Sequence, residues 1–194
     1  MNLKAAVRVL KTGGVLVFPT ETSYGIGCDA TNAKAVRRVF ELKGRVKEKG
    51  TPLIVSSLAM ARRYGVFSKT ALTLAKKYWP GPLTLVLPAS GTSPGDVPAQ
   101  KGTIALRMSS HPIARALARG LGRPIVATSA NLSGQPPAFR HEDLPAWKDI
   151  FVVDVGRLLK SKPSTVVRVI ADRVEVLRQG SISPTQPPLK KGRR

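Results

Sequence analysis

Gly13-Gly14-Val15-Leu16-Val17-Phe18-Pro19-Thr20-Glu21-Thr22 is the stretch whose reading decides the fold. Four apolar residues, two of them β-branched, stand between a glycine pair and a proline, which predicts a short buried strand. Polar residues follow at once. In open α/β sheets that is the place where ligands bind, in the crevice beyond the strand ends. Residues 5–10 ahead of it read as the end of a first helix, closed by Gly13-Gly14.

Outward from this strand the elements alternate. Asn32 stands where a helix N-cap is expected, and Val36, Val39 and Phe40 form one apolar face of a helix that ends near Lys43-Gly44. Residues 52–55 read as a strand, 59–64 and 70–78 as helices, the second stopped by Pro80-Gly81-Pro82. Strands are expected over 83–87 and 103–108, separated by the turn-rich segment 90–95, and a helix from Pro112 to about Arg119. Strands over 125–127, 151–155, 165–170 and 174–177 follow, the last two forming an antiparallel hairpin across Ala171-Asp172-Arg173. The pattern predicts one α/β domain over residues 1–183, a twisted open mixed sheet with helices packed on it. Residues 184–194 lack apolar periodicity and read as a basic, disordered tail.

The 194 residues suffice for a full core, and their 42% hydrophobic content is ordinary for a globular domain. No apolar run approaches the roughly 18–20 residues that span a bilayer, and the start lacks a signal-peptide layout, so a cytoplasmic, non-membrane protein is expected. A single cysteine, Cys28, excludes an internal disulfide; with only His111 and His141 beside it, a structural zinc site is not expected. The net charge of +21, of which Lys190, Lys191, Arg193 and Arg194 supply four, predicts attraction to polyanions.

Four polar motifs carry the chemistry. Pro19-Thr20-Glu21-Thr22 follows the first strand. Lys43-Gly44-Arg45 places two cations at a helix end, able to converge on one anion or to complement the helix dipole. Thr128-Ser129-Ala130-Asn131-Leu132-Ser133-Gly134 can present hydroxyls, a carboxamide and backbone N–H groups to a phosphate, or fold as a self-satisfied turn. Pro163-Ser164-Thr165 opens a strand in the same manner. Arg107 interrupts the apolar run Ile104-Ala105-Leu106, and a cation facing the core there needs an anionic partner, structural or ligand. Gly25-Ile26-Gly27 lacks the third glycine of a dinucleotide fingerprint, and no Walker A motif is present. Cys28 reads as a buried spectator thiol, and His111 as a cap or a catalyst.

Taken together, PTETSYGIG (19–27), ELKGR (41–45), TPLIV (51–55), GPLTLVL (81–87), IALRMSSHP (104–112), TSANLSG (128–134), PSTVVR (163–168) and LRQGSIS (177–183) closely resemble the YrdC-type threonylcarbamoyl-AMP synthase family, in its short single-domain form. The resemblance implies a YrdC-like open sheet with a basic concave face. It implies conversion of L-threonine, bicarbonate or CO2, and ATP to L-threonylcarbamoyl-adenylate and pyrophosphate, for the N6-threonylcarbamoyladenosine (t6A) modification of tRNA. By position it implies Lys43 and Arg45 on the ATP phosphates and as catalytic cations, Asn131 and Arg178 on the nucleotide, and Thr22, Arg107, Ser129 and Ser164 on threonine or its carbamate. Magnesium is expected with ATP, held mainly by phosphate and water, with no protein metal site. Separate threonylcarbamoyl-transfer proteins are implied as partners. Val46 replaces a frequent proline, the loop to Thr51-Pro52 is long, and Phe139 stands where a hydroxyl residue is common.

Two other readings compete. A non-catalytic module would bind tRNA or other structured RNA with its basic face, with steep salt dependence and no ATP use. A carbamoyl-transfer relative of the hydrogenase-maturation type would need zinc-finger and acylphosphatase-like modules for which one cysteine and 194 residues leave no room.

Overall fold

The computed structural model describes residues 2–44, 51–91 and 102–184. Arg45, Val46 and the rest of the 45–50 loop, segment 92–101 and the tail from Thr185 onward lie outside the described residues. The chain folds as α1 (Leu3–Lys11), β1 (Leu16–Pro19), β2 (Tyr24–Gly27), α2 (Ala33–Leu42), β3 (Leu53–Ile54), α3 (Leu58–Arg62), α4 (Lys69–Tyr78), β4 (Leu83–Pro88), β5 (Thr103–Arg107), α5 (Pro112–Leu121), β6 (Ile125–Val126) and β7 (Thr128–Ser129). A 3-10 turn (His141–Asp143), β8 (Phe151–Val152), β9 (Thr165–Ile170) and β10 (Arg173–Arg178) follow.

Local chemistry sets the helix limits. Asn32 Oδ1 accepts the Ala35 N–H at 3.1 Å, the N-cap expected for α2. At the other end Gly44 takes φ +58°, the left-handed conformation that ends a helix cheaply only at glycine. His111 caps α5, its Nδ1 accepting the Ile113 N–H at 3.3 Å, and Pro112 occupies the first turn, where no N–H is missed.

The strands form mixed α/β layers, divided between two ladders. One runs β7-β2-β1-β8 and the other β10-β9-β4-β5-β3-β6. Parallel pairings (β1 with β8, β3 with β5, β4 with β9) stand beside antiparallel ones. The β9–β10 hairpin turns at Ala171, which adopts φ 52°. Ala6, Leu10, Phe18, Ile54, Leu117 and Ile125 are buried between the α1–α5 pair and the strands. A larger core joins α2 and α4 to β2, β4, β5 and β9 through Tyr24, Ile26, Val39, Leu74, Leu85, Leu106 and Val167.

The segment Tyr24-Gly25-Ile26-Gly27, which lacks a dinucleotide fingerprint, forms strand β2. The reason lies across the fold. A Cβ on Gly27 would stand 1.8 Å from the Val126 carbonyl oxygen, and Val126 N–H donates to Cys28 O at 2.9 Å, so the two ladders meet at this glycine. Gly27→Ala is therefore expected to cost about 3 kcal/mol, the upper end for overpacking. A chemical-denaturation midpoint equal to wild type would mean that the two ladders approach less closely.

Candidate active site

A cavity of about 700 Å³ opens between the two ladders, a size typical of small-ligand sites. Its wall takes Thr20, Thr22 and Ser23 from the β1–β2 turn, Thr84 from β4, Arg107 from the end of β5, Ser129 and Asn131 from β7 and the loop after it, and Ser164 and Arg178 from β9–β10.

The β1–β2 turn is held by its own hydroxyls. Thr20 Oγ1 donates to Ser23 O at 2.7 Å, lies 3.0 Å from Thr22 Oγ1, and accepts the Thr22 N–H at 3.2 Å. That arrangement fixes Thr22, whose hydroxyl accepts from Arg107 Nη2 at 3.1 Å. The same Nη2 lies 2.9 Å from Glu21 Oε1, and Ser109 Oγ donates to the other carboxylate oxygen. Burial pushes the Glu21 pKa up, but the Arg107 charge and the hydrogen bonds from Ser109 and Arg107 outweigh it and hold the carboxyl below its ordinary value. The anionic partner that Arg107 requires is thus Glu21. Arg107 Nε remains buried without a hydrogen-bond acceptor among the described residues.

On the opposite wall Arg178 donates from Nε and Nη2 to Ser164 O at 3.1 and 2.8 Å, and from Nη2 to Ser164 Oγ at 3.0 Å. Partial burial, then the charge of Arg107, push the Arg178 pKa down. The backbone here is tightly enclosed. A Cβ on Gly180 would lie 2.1 Å from Pro163 O, and Thr165 Oγ1 donates to Ile182 O while accepting the Gly180 and Ile182 N–H groups.

The third wall is anchored from behind. Lys43, only 3% exposed, aims its Nζ at Ser129 O (2.6 Å), Asn131 O (2.7 Å) and Asn131 Oδ1 (3.3 Å). Asn131 Nδ2 donates onward to Leu132 O and Gln135 O at 3.0 and 2.5 Å. Two guanidinium groups and a ring of hydroxyls line the cavity, with the Glu21 carboxylate paired to Arg107 behind it. It is arranged to receive an anion beside a small polar group.

A family model for the Sua5/YciO/YrdC domain, described as telomere recombination, matches residues 8–180. The chain belongs to the Sua5/YciO/YrdC family. Threonylcarbamoyl-AMP synthase of Vibrio cholerae is 39% identical over 184 residues, covering 92% of this chain and 97% of that protein. The protein of the same name from Thiobacillus denitrificans is 44% identical over 172 residues, 85% of this chain and 89% of that one. P. abyssi Sua5 in complex with L-threonine superimposes with a TM-score of 0.86 at 35% identity, over 92% of this chain. This chain spans about half (54%) of that Sua5 chain.

Within this Sua5/YciO/YrdC domain, Thr22, Arg107, Ser129, Asn131, Ser164 and Arg178 all line one cavity, and Lys43 reaches the loop that carries two of them. Arg45 is outside the described residues. Glu21 and Thr84 were given no role by the sequence reading. Glu21 carried a signal, since it is the acidic residue in the motif after β1. Thr84 carried none, being one polar residue in an alternating strand. Cys28 is fully buried, and burial first, then Asp29, pushes its pKa up to about 12, which leaves an inert thiol at neutral pH.

Proposed function

We propose that this chain is an L-threonylcarbamoyl-adenylate synthase, which makes threonylcarbamoyl-AMP and pyrophosphate from L-threonine, bicarbonate or CO2, and ATP for t6A formation in tRNA. The observation that carries the reading is the convergence of Arg107, Arg178 and the hydroxyls of Thr22, Ser129 and Ser164 on one cavity in a member of this family. The threonine amine forms a C–N bond to CO2 and gives up a proton, leaving a carbamate. A carbamate oxygen then attacks the α-phosphorus of ATP, and the bond to pyrophosphate breaks. No covalent link to the protein is needed.

The work left to the protein is to hold two mutually repelling anions in line and to stabilise charge on the phosphates. Thr22, Arg107, Ser129 and Ser164 take threonine and its carbamate. Asn131 and Arg178 take the nucleotide, and Lys43 and Arg45 serve the phosphates. Among the described residues no group of three or more His, Cys, Asp and Glu is gathered for a metal. The nearby carboxylate of Glu21 is already paired with Arg107. A magnesium ion would therefore arrive with ATP and be held by phosphate and water, where it neutralises the triphosphate.

Transfer of the product to tRNA falls to separate proteins, and the setting is the cytoplasm. Among the described residues no helix is long and apolar enough to cross a membrane. Incubation with ATP, L-threonine and bicarbonate tests the reading. Expected are threonine-dependent pyrophosphate release without RNA and the mixed anhydride by mass spectrometry; ATP turnover indifferent to threonine would refute it.

A further inference from the structure

Thr84 is 0% exposed, and its Oγ1 lies 3.0 Å from Ser164 Oγ. Among the described residues that is the one hydrogen-bond partner of the Thr84 hydroxyl. A hydroxyl this deeply enclosed keeps its proton bonded, because leaving it unpaired costs about 1–3 kcal/mol. The 3.0 Å geometry allows either oxygen to donate, but only as the donor does Thr84 bond its proton to its one partner, which leaves Ser164 Oγ the acceptor. Ser164 Oγ also accepts from Arg178 Nη2 at 3.0 Å. A hydroxyl oxygen offers two lone pairs and one proton. With both lone pairs engaged, by Thr84 and by Arg178, the proton alone remains, and Ser164 lines the cavity.

The geometry points to Thr84 as a positioning residue that makes Ser164 a one-way hydrogen-bond donor, so that this point of the cavity accepts an oxyanion and rejects an ammonium. A serine hydroxyl without such a neighbour rotates and either donates or accepts. Here the direction is fixed before any ligand arrives, which removes a reorganisation step from binding. The inference rests on the synthase reading in naming the ligand: the oxyanion is a carboxylate or carbamate oxygen of threonine, and the amine of unreacted threonine lies away from Ser164.

Thr84→Val keeps the shape and removes the hydroxyl, Thr84→Ser keeps the donor, and Ser164→Ala removes the residue through which Thr84 acts. L-threonine affinity is measured by calorimetry, and the KM values for threonine and ATP by pyrophosphate release. Thr84→Val is expected to weaken threonine binding about tenfold, the factor that corresponds to 1.4 kcal/mol, with the ATP KM unchanged. Thr84→Ser is expected to restore it, and Thr84→Val to add nothing in the Ser164→Ala background. Should valine not fit, Thr84→Ala reads the same coupling. Unchanged threonine affinity, a full effect persisting without Ser164, or an equal rise in the ATP KM overturns the proposal. A wild-type chain that binds threonine yet releases no pyrophosphate overturns the synthase reading alone, and the calorimetry still decides Thr84. A wild-type chain that binds no threonine overturns both.

Discussion

Arg107→Met is expected to reduce threonine-dependent pyrophosphate release by about 100- to 1,000-fold, the scale seen when one preorganised charge donor is lost. It is also expected to lower the thermal midpoint at pH 7, and by less as the pH falls. Methionine retains the length and apolar stem but leaves Glu21 without its cation. The Glu21 and Arg107 side chains are only 16% and 9% exposed, and breaking one side of a buried pair costs about 3–5 kcal/mol. The pH dependence separates this cause from simple loss of packing. In the wild type the folded-state pKa of Glu21 lies below its ordinary value of 4.5. The pair's contribution is therefore present in full above that value and lost as the pH falls through the lowered one. In the variant burial remains while Arg107 is gone, so the pKa moves up instead. The carboxyl then takes a proton on acidification, and the penalty is relieved. Melting curves of both proteins between pH 7 and pH 4 should converge. A constant gap would mean that Glu21 is not the buried charge that Arg107 compensates.

The same pair explains how far the sequence could be read. Arg107 in an apolar strand announced that an anion had to face it, but its partner lies 86 positions earlier, and no local pattern joins two residues that far apart. The elements built on local chemistry were legible: the apolar run before Pro19, the Asn32 cap, the Gly44 terminus and the hairpin at 171–173. Those built on distant contacts were not. Tyr24-Gly25-Ile26-Gly27 has the composition of a turn and becomes a strand because β1 and β7 flank it and Val126 leaves no room for a side chain. Thr128-Ser129 is polar and becomes a strand by pairing with that same segment. At the cavity, the residue types revealed which groups meet a ligand, whereas the contacts that aim them, from Thr84 to Ser164 and from Lys43 to the 129–131 loop, depend on side-chain directions fixed only by the packed fold.

Lys43→Met is expected to lower kcat/KM by about a thousandfold and, unlike loss of a simple phosphate contact, to raise the KM for both threonine and ATP. The Lys43 ammonium donates to Ser129 O at the end of β7 and to Asn131 O and Oδ1 just after it, at 2.6, 2.7 and 3.3 Å. An ammonium has three protons, so any phosphate oxygen has to take the place of one of these bonds, and the longest, to Asn131 Oδ1, is the one most readily exchanged. Binding of ATP would then free the Asn131 carboxamide oxygen while the two backbone carbonyls stay anchored. With methionine, three acceptors, the two on Asn131 buried and the one on Ser129 partly so, lose a charged donor, and Ser129 and Asn131 lose their fixed positions together. Lys43→Arg is expected to rescue poorly, because a planar guanidinium fork does not reproduce three bonds radiating from one nitrogen. Steady-state kinetics of the two variants make the distinction. A rise confined to the ATP KM, with arginine restoring activity, would reduce Lys43 to a phosphate-binding charge and remove its hold on the loop from the mechanism.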